Sequence, residues 1–212
     1  MPYRLKKRFL FTLIFILAKN FSFSQEIDST VQKEPWQVHA EVSGFIFPGD
    51  FYLNPIVWAK KNHLHLEARY NYEDLQTASA FAGYNFEAAN KLYLSATPMF
   101  GASYGNTNSV IPGLEAELMY GKFGLYIETE YAFDLNDFKD SFFSHWGEWY
   151  YSPEDWIWFG VTTQRIRPQQ TELDLQRGVM LALQEKWFTL TGYYFNPFTD
   201  DDYWIVNLGA TF

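Results

Sequence analysis

From Tyr203 to Phe212 the chain alternates side by side. Trp204, Val206, Leu208, Ala210 and Phe212 fall on one face, with Asn207, Gly209 and Thr211 on the other. Successive side chains of a strand point to opposite sides, so this period of two is the mark of a sheet with one oily face. The same period recurs along nearly the whole chain. No stretch approaches the roughly 20 apolar residues that a membrane-spanning helix needs. The longest apolar run, Phe9 to Ala18, has about half that length. The chain is therefore expected to be all-β.

Twelve strands are predicted, at 36–47, 51–60, 63–72, 76–87, 91–103, 109–120, 123–134, 143–151, 156–167, 172–184, 187–196 and 203–212. Merging of neighbouring strands would reduce the count to ten. Connections after even strands are tight, as at Lys61-Asn62, Ala88 to Asn90, Gly121-Lys122, Ser152 to Asp155 and Glu185-Lys186. Those after odd strands run longer and acidic, as at Asp50, Glu73-Asp74, Asn136 to Asp140 and Asp200 to Asp202.

A hairpin loop of known length fixes register. A Gly121-Lys122 loop sets Tyr120 opposite Phe123, Leu118 opposite Leu125, Ala116 opposite Ile127 and Glu115 opposite Glu128. A Glu185-Lys186 loop sets Leu183 against Phe188 and Leu181 against Leu190. A loop of Ala88 to Asn90 sets Phe86 against Leu92 and Glu87 against Lys91. In all three hairpins apolar side chains meet apolar ones on a single face.

The opposite face is charged. The third strand turns His63, His65, Glu67, Arg69 and Asn71 inward, the sixth Glu115 and Glu117, and the seventh Tyr126, Glu128, Glu130 and Asp134. Glu41 and Asp174 extend this set. Lone charges in the dry core of a soluble barrel would be costly, whereas a wet or charge-paired lumen tolerates them. Like charges directly across an antiparallel pair are destabilising, so Glu115 and Glu128 require an offset. Arg69, Arg165 and Arg167 are the candidate partners, the last two pointing inward if Trp156 and Trp158 point outward. Arg177 falls on the oily face, and a bulge turning it inward beside Asp174 would resolve that. His63 and His65 are weak metal-ligand candidates with Glu67, and no second cluster completes a shell. No cofactor is expected.

Residues 2–24 have the form of a secretory signal. Arg4, Lys6, Lys7 and Arg8 precede the apolar run, and Ser22 and Ser24 supply small residues before a cut at Gln25. Loss of its five basic residues takes the formal charge from −9 to −14. A chain this acidic is a poor partner for nucleic acid or anionic lipid. With no cysteine, disulfides and thiol chemistry are excluded. Residues 25–35 read as a polar periplasmic tail that could also enter the lumen, and 36–212 as the barrel.

The signal at 2–24, the alternating strands, the short even-numbered turns and Phe212 together resemble Gram-negative outer-membrane β-barrel proteins as a class. The Ser-Phe-Ser-Gln junction is similar to those of exported Bacteroidota proteins. The resemblance implies a single up-and-down transmembrane barrel with both termini periplasmic. It also implies contact with outer-membrane lipids and lipopolysaccharide, and recognition of the last strand by the barrel-assembly machinery. The expected function is a narrow channel for small polar solutes. One alternative is a closed structural or adhesion barrel with a salt-bridged lumen. Another is an outer-membrane lipid hydrolase, but His145 is the one candidate base with an outward position. Ser144, its chain neighbour, points to the other face, and Ser141 is merely near in sequence, so no catalytic group is assigned.

Overall fold

The structure, a computed structural model, describes residues 35–165, 167 and 175–212. The signal segment, nearly all of the following tail, and Asp174 lie outside the described residues. Of the strands, β1 is Gln37–Phe47, β2 Asp50–Lys61, β3 Leu64–Tyr70, β4 Thr77–Tyr84 and β5 Phe86–Ala89. Next come β6 (Leu92–Gly105), β7 (Ser109–Tyr120), β8 (Phe123–Asp134) and β9 (Phe142–Glu154). The last four are β10 (Ile157–Arg165), β11 (Gln176–Glu185), β12 (Phe188–Phe195) and β13 (Tyr203–Thr211).

Apart from β4 and β5, which do not pair with each other, each strand pairs antiparallel with its chain neighbours; β13 pairs β1 with Ala40 opposite Ala210, and β4 pairs β6 with Phe81 opposite Gly101. The sheet is thus a closed barrel with no free edge. Both β4 and β5 lie along β6 in one continuous register. They form a single stave interrupted at Asn85, next to the place where β6 carries Pro98, which has no N–H to give. The barrel therefore has twelve staves, as expected. One end, the turn end, carries Gln37, Thr211 and the tight turns. The other, the loop end, carries most of the longer connections and a 3-10 turn at Phe138–Asp140.

The Gly121-Lys122 hairpin has the expected register, with Tyr120 opposite Phe123 and Glu115 opposite Glu128. Gly121 adopts φ +60°, a conformation that favours glycine. Two other hairpins slip from the expected pairing. Lys186, at φ 55°, sets the β11–β12 turn on Lys186-Trp187, so Leu183 faces Leu190 and Ala182 faces Thr191. The β5–β6 turn falls on Asn90 to Leu92, with Glu87 opposite Ser95. Both slips are by an even number, so every side chain keeps its expected face.

Outward positions are apolar and exposed along the wall: Leu64 and Leu66 on β3, Val179 and Leu181 on β11, Val206 and Leu208 on β13. Aromatic side chains gather at the ends. Trp187 stacks on Phe212 at the turn end (5.6 Å), and Tyr194 on Trp204 at the loop end (4.4 Å). An oily band between aromatic girdles is the surface of a barrel that sits in a membrane.

The interior is not polar throughout. In the loop-end half, Phe45, Met180, Phe195, Tyr203 and Ile205 form one buried cluster. From the facing wall Phe81, Met99, Ile111 and Ala132 form a second. Phe195 and Ile111 have no exposed surface. Tyr203 hydroxyl binds Gln164 and Gln176 among them.

Three expectations are corrected. Arg165 is exposed and faces outward: β10 alternates regularly from Ile157, in unbroken register with β11, and Thr162 and Gln164 are among its inward residues. Trp156 lies exposed in the Asp155-Trp156 turn and so sets no face for β10, while Trp158 faces the lumen; the extra residue at the Ile157/Phe159 irregularity belongs to β9. Arg177 also faces outward, with β10–β11 pairing continuous through Thr163 and Arg177 and no bulge. Arg167 does not meet the glutamate wall. It spans the loop-end mouth, near Asp74 Oδ2 (3.8 Å) and the Asp140 carbonyl (3.4 Å) and over the Phe142 ring.

Candidate functional site

The turn-end half of the lumen is a cavity of about 830 Å³. Its lining runs from the turn residues Gly121, Lys122 and Glu154 inward to Glu67 and Tyr72. Seven glutamates line it: Glu41 from β1, Glu67 from β3, Glu115 and Glu117 from β7, Glu128 from β8, Glu148 from β9 and, at the end of β9, Glu154. Alternation delivers the first six, because on those strands the flanking residues face lipid. Lys60 and Lys122 are the counter-charges in this lining, yet the Lys60 ammonium lies over the Trp58 ring (4.8 Å) and that of Lys122 donates to the Pro153 carbonyl, neither on a carboxylate. The vestibule is therefore strongly acidic. Trp58, Trp146 and Trp158 supply its apolar surface.

Several of these glutamates are held in place. Glu148 accepts from Trp146 Nε1 (2.9 Å) and Tyr193 hydroxyl (2.8 Å), and Glu117 from Tyr150 hydroxyl (3.0 Å). Glu41 meets His39 Nε2 at 3.3 Å. Glu115 is different: among the described residues it has no hydrogen-bond or ion-pair partner. The Asn54 side-chain oxygen, on a residue only 2% exposed, is also without a partner.

The vestibule floor is built around Arg69, whose side chain is wholly buried. From β3 it reaches across the lumen to β8. Its Nη1 lies 2.8 Å from Glu128 Oε1 and 2.7 Å from Glu130 Oε1, while Nε donates to Glu67 Oε1 at 2.5 Å. Tyr72 and Phe81 sandwich the guanidinium, at 4.4 and 4.5 Å from their ring centroids. Phe81 can lie this way because Gly101 is opposite it; a Cβ there would overlap the ring. Tyr72 comes from the β3–β4 loop, which also folds Glu73 inward onto Ser79 (2.8 Å). Burial pushes the Glu73 carboxyl above its ordinary value. His65 Nε2 completes the floor, 2.8 Å from Glu67 Oε2.

The expected set thus divides. Glu41, Glu67, Arg69, Glu115, Glu117, Glu128 and Glu130 share one lumen, and Arg69 is the partner that β8 required. Asp134 belongs to a loop-end turn, where it accepts from the Asn136 and Asp137 backbone N–H groups. His63 is separated from His65: it lies exposed at the turn end, bonded to the Asn85 carbonyl and stacked on Tyr84. His145 Nε2 meets Thr163 Oγ1 (3.1 Å) on the outer wall, and Ser144 points inward. The aromatic clamp on Arg69, the inward Glu73 and the Glu148 cradle leave no mark in the hairpin registers. For Glu148 a usable signal exists in its chain neighbour Trp149, whose outward position on β9 requires Glu148 to point inward.

A closed antiparallel barrel with an oily, girdled wall and a charged interior is the architecture of an outer-membrane β-barrel. Among solved structures the chain is similar to the KdgM porin, with 14% identity and a TM-score of 0.56, over 83% of this chain and 99% of that one. A second structure, of the KdgM porin in complex with disordered oligogalacturonate, gives 14% identity and a TM-score of 0.54 over the same shares. At this identity the likeness is one of fold. No protein-family model and no curated protein matches the chain.

Proposed function

We propose that this chain is a narrow channel of a Gram-negative outer membrane that favours small cations and neutral polar solutes over anions. Its termini and tight turns face the periplasm, following the usual plan of such barrels. Signal removal, contact with lipopolysaccharide at the loop end and recognition of the β13 strand by the assembly machinery belong to the same reading. The observation that carries it is the vestibule: seven glutamates lining a cavity of about 830 Å³, with Lys60 sequestered on Trp58 and Lys122 on the Pro153 carbonyl. Rings of carboxylates select cations. The porin fold does not bring an oligogalacturonate ligand with it, because a polyuronate would be repelled by this wall. The Arg69 belt is the constriction.

A second reading, a closed barrel, is favoured by the two apolar clusters that fill the loop-end half. Single-channel recording of the purified protein in planar bilayers separates the two. The channel reading expects small discrete steps whose size falls when Glu115 and Glu117 become Gln. A silent bilayer supports the closed barrel and removes the channel.

A further inference from the structure

We propose that His65, Glu67 and Glu115 form a binding site for one divalent transition-metal ion of the zinc type. One ligand atom from each lies within 4.8 Å of those of the other two. The β3 alternation puts His65 and Glu67 on one face, and β7 brings Glu115 to them. An imidazole with two carboxylates suits a borderline first-row ion, and the cavity side leaves a fourth position for water.

Three independent features fit a cation at this point. Glu115 has no hydrogen-bond or ion-pair partner among the described residues and sits directly opposite Glu128. Arg69 cannot offset it, being engaged by Glu67, Glu128 and Glu130 and 3.7 Å from Glu73. Four carboxylates therefore share one guanidinium, and Glu115 is left over. Second, Arg69 holds Glu67 by Oε1, which orients Oε2 towards His65 as outer partners of a metal-binding carboxylate do. Third, among the described residues His65 Nδ1 is buried without a partner, and with a proton on Nδ1 the ring offers a metal the lone pair of Nε2, the atom beside Glu67 Oε2.

The hydrogen bond between His65 Nε2 and Glu67 Oε2, 2.8 Å long, is where the ion enters. It takes the place of the shared proton, which leaves to solvent. Ligands of a tetrahedral zinc ion stand about 3.3 Å apart, given bonds of about 2.0–2.1 Å. The pair opens slightly and Glu115 closes in. Glu67 and Glu115 line the vestibule, which is the entry path. The site stands whether or not the barrel conducts.

The test uses the full-length barrel in detergent micelles, stripped with chelator and titrated calorimetrically with Zn²⁺ near pH 7.5 (about neutral, where imidazole is unprotonated). One ion per chain is expected, and Co²⁺ should replace its weak octahedral spectrum with an intense tetrahedral one. His65→Gln and Glu115→Gln should each weaken binding by about 10–100-fold or more, while His63→Gln should not. Glu115→Gln replaces a partnerless side chain with its isostere, and retained heat-modifiable migration on gels shows that it folds. Absence of saturable binding, or binding unchanged by Glu115→Gln, overturns the proposal.

Discussion

Replacing Arg69 with Met tests the buried floor most severely. The guanidinium is wholly buried, bonded to three carboxylates and clamped between Tyr72 and Phe81. Removing one partner of a buried ion pair costs about 3–5 kcal/mol, chiefly because the other is stranded. The two ring contacts, about 2 kcal/mol each when desolvated, share the same group and do not simply add. A loss of about 3–5 kcal/mol is therefore expected, on the order of a thousandfold in the unfolding equilibrium. Urea unfolding of the barrel in micelles, followed by tryptophan fluorescence, measures it. Adding Glu128→Gln and Glu130→Gln to Arg69→Met should recover much of the loss, since the stranded charges go as well. If Arg69→Met costs less than about 1 kcal/mol, as an exposed pair would, the belt is not the dry network described.

Gly101→Val should force Phe81 off the guanidinium and cost about 1–3 kcal/mol through overpacking, read as a lowered melting temperature. Glu73, its carboxyl held above the ordinary value by burial, contributes stability that is fully present below the unfolded value and lost as pH rises through the folded one. Glu73→Gln should therefore flatten the fall in melting temperature as pH rises above the ordinary carboxyl range; an unchanged slope would contradict this. Arg177, outward and one residue into β11, sits near the rim, where a lipid-facing Arg costs about 0–1 kcal/mol. Arg177→Leu should shift urea stability by no more than that, and a larger gain would place the residue deeper in the bilayer.

What is legible in the sequence follows from parity. A period of two assigns every side chain of β3, β7 and β8 to a face, so alternation alone puts His65, Glu67, Arg69, Glu115 and Glu128 in the lumen. Even slips in two turns leave parity intact. Parity does not reach through a turn: Trp156 belongs to the turn before β10, so its outward position says nothing of the strand, where Trp158 faces inward and Arg165 outward. Parity also says nothing about contacts across the lumen. That Arg69 of β3 meets Glu128 and Glu130 of β8 depends on how the barrel closes, which no hairpin encodes. Inward Phe45, Phe195 and Tyr203 look in sequence like any other aromatic residues, so the filled loop-end half has no sequence signature. The inward fold of Tyr72 and Glu73 belongs to a loop, where no period applies.

The reversal potential under a KCl gradient across a planar bilayer tests the central claim, an acidic lumen that selects by charge, most directly. A cation-selective potential is predicted, reduced towards zero when Glu115, Glu117 and Glu148 are changed together to Gln. An anion-selective potential, or cation selectivity indifferent to those three substitutions, would contradict it.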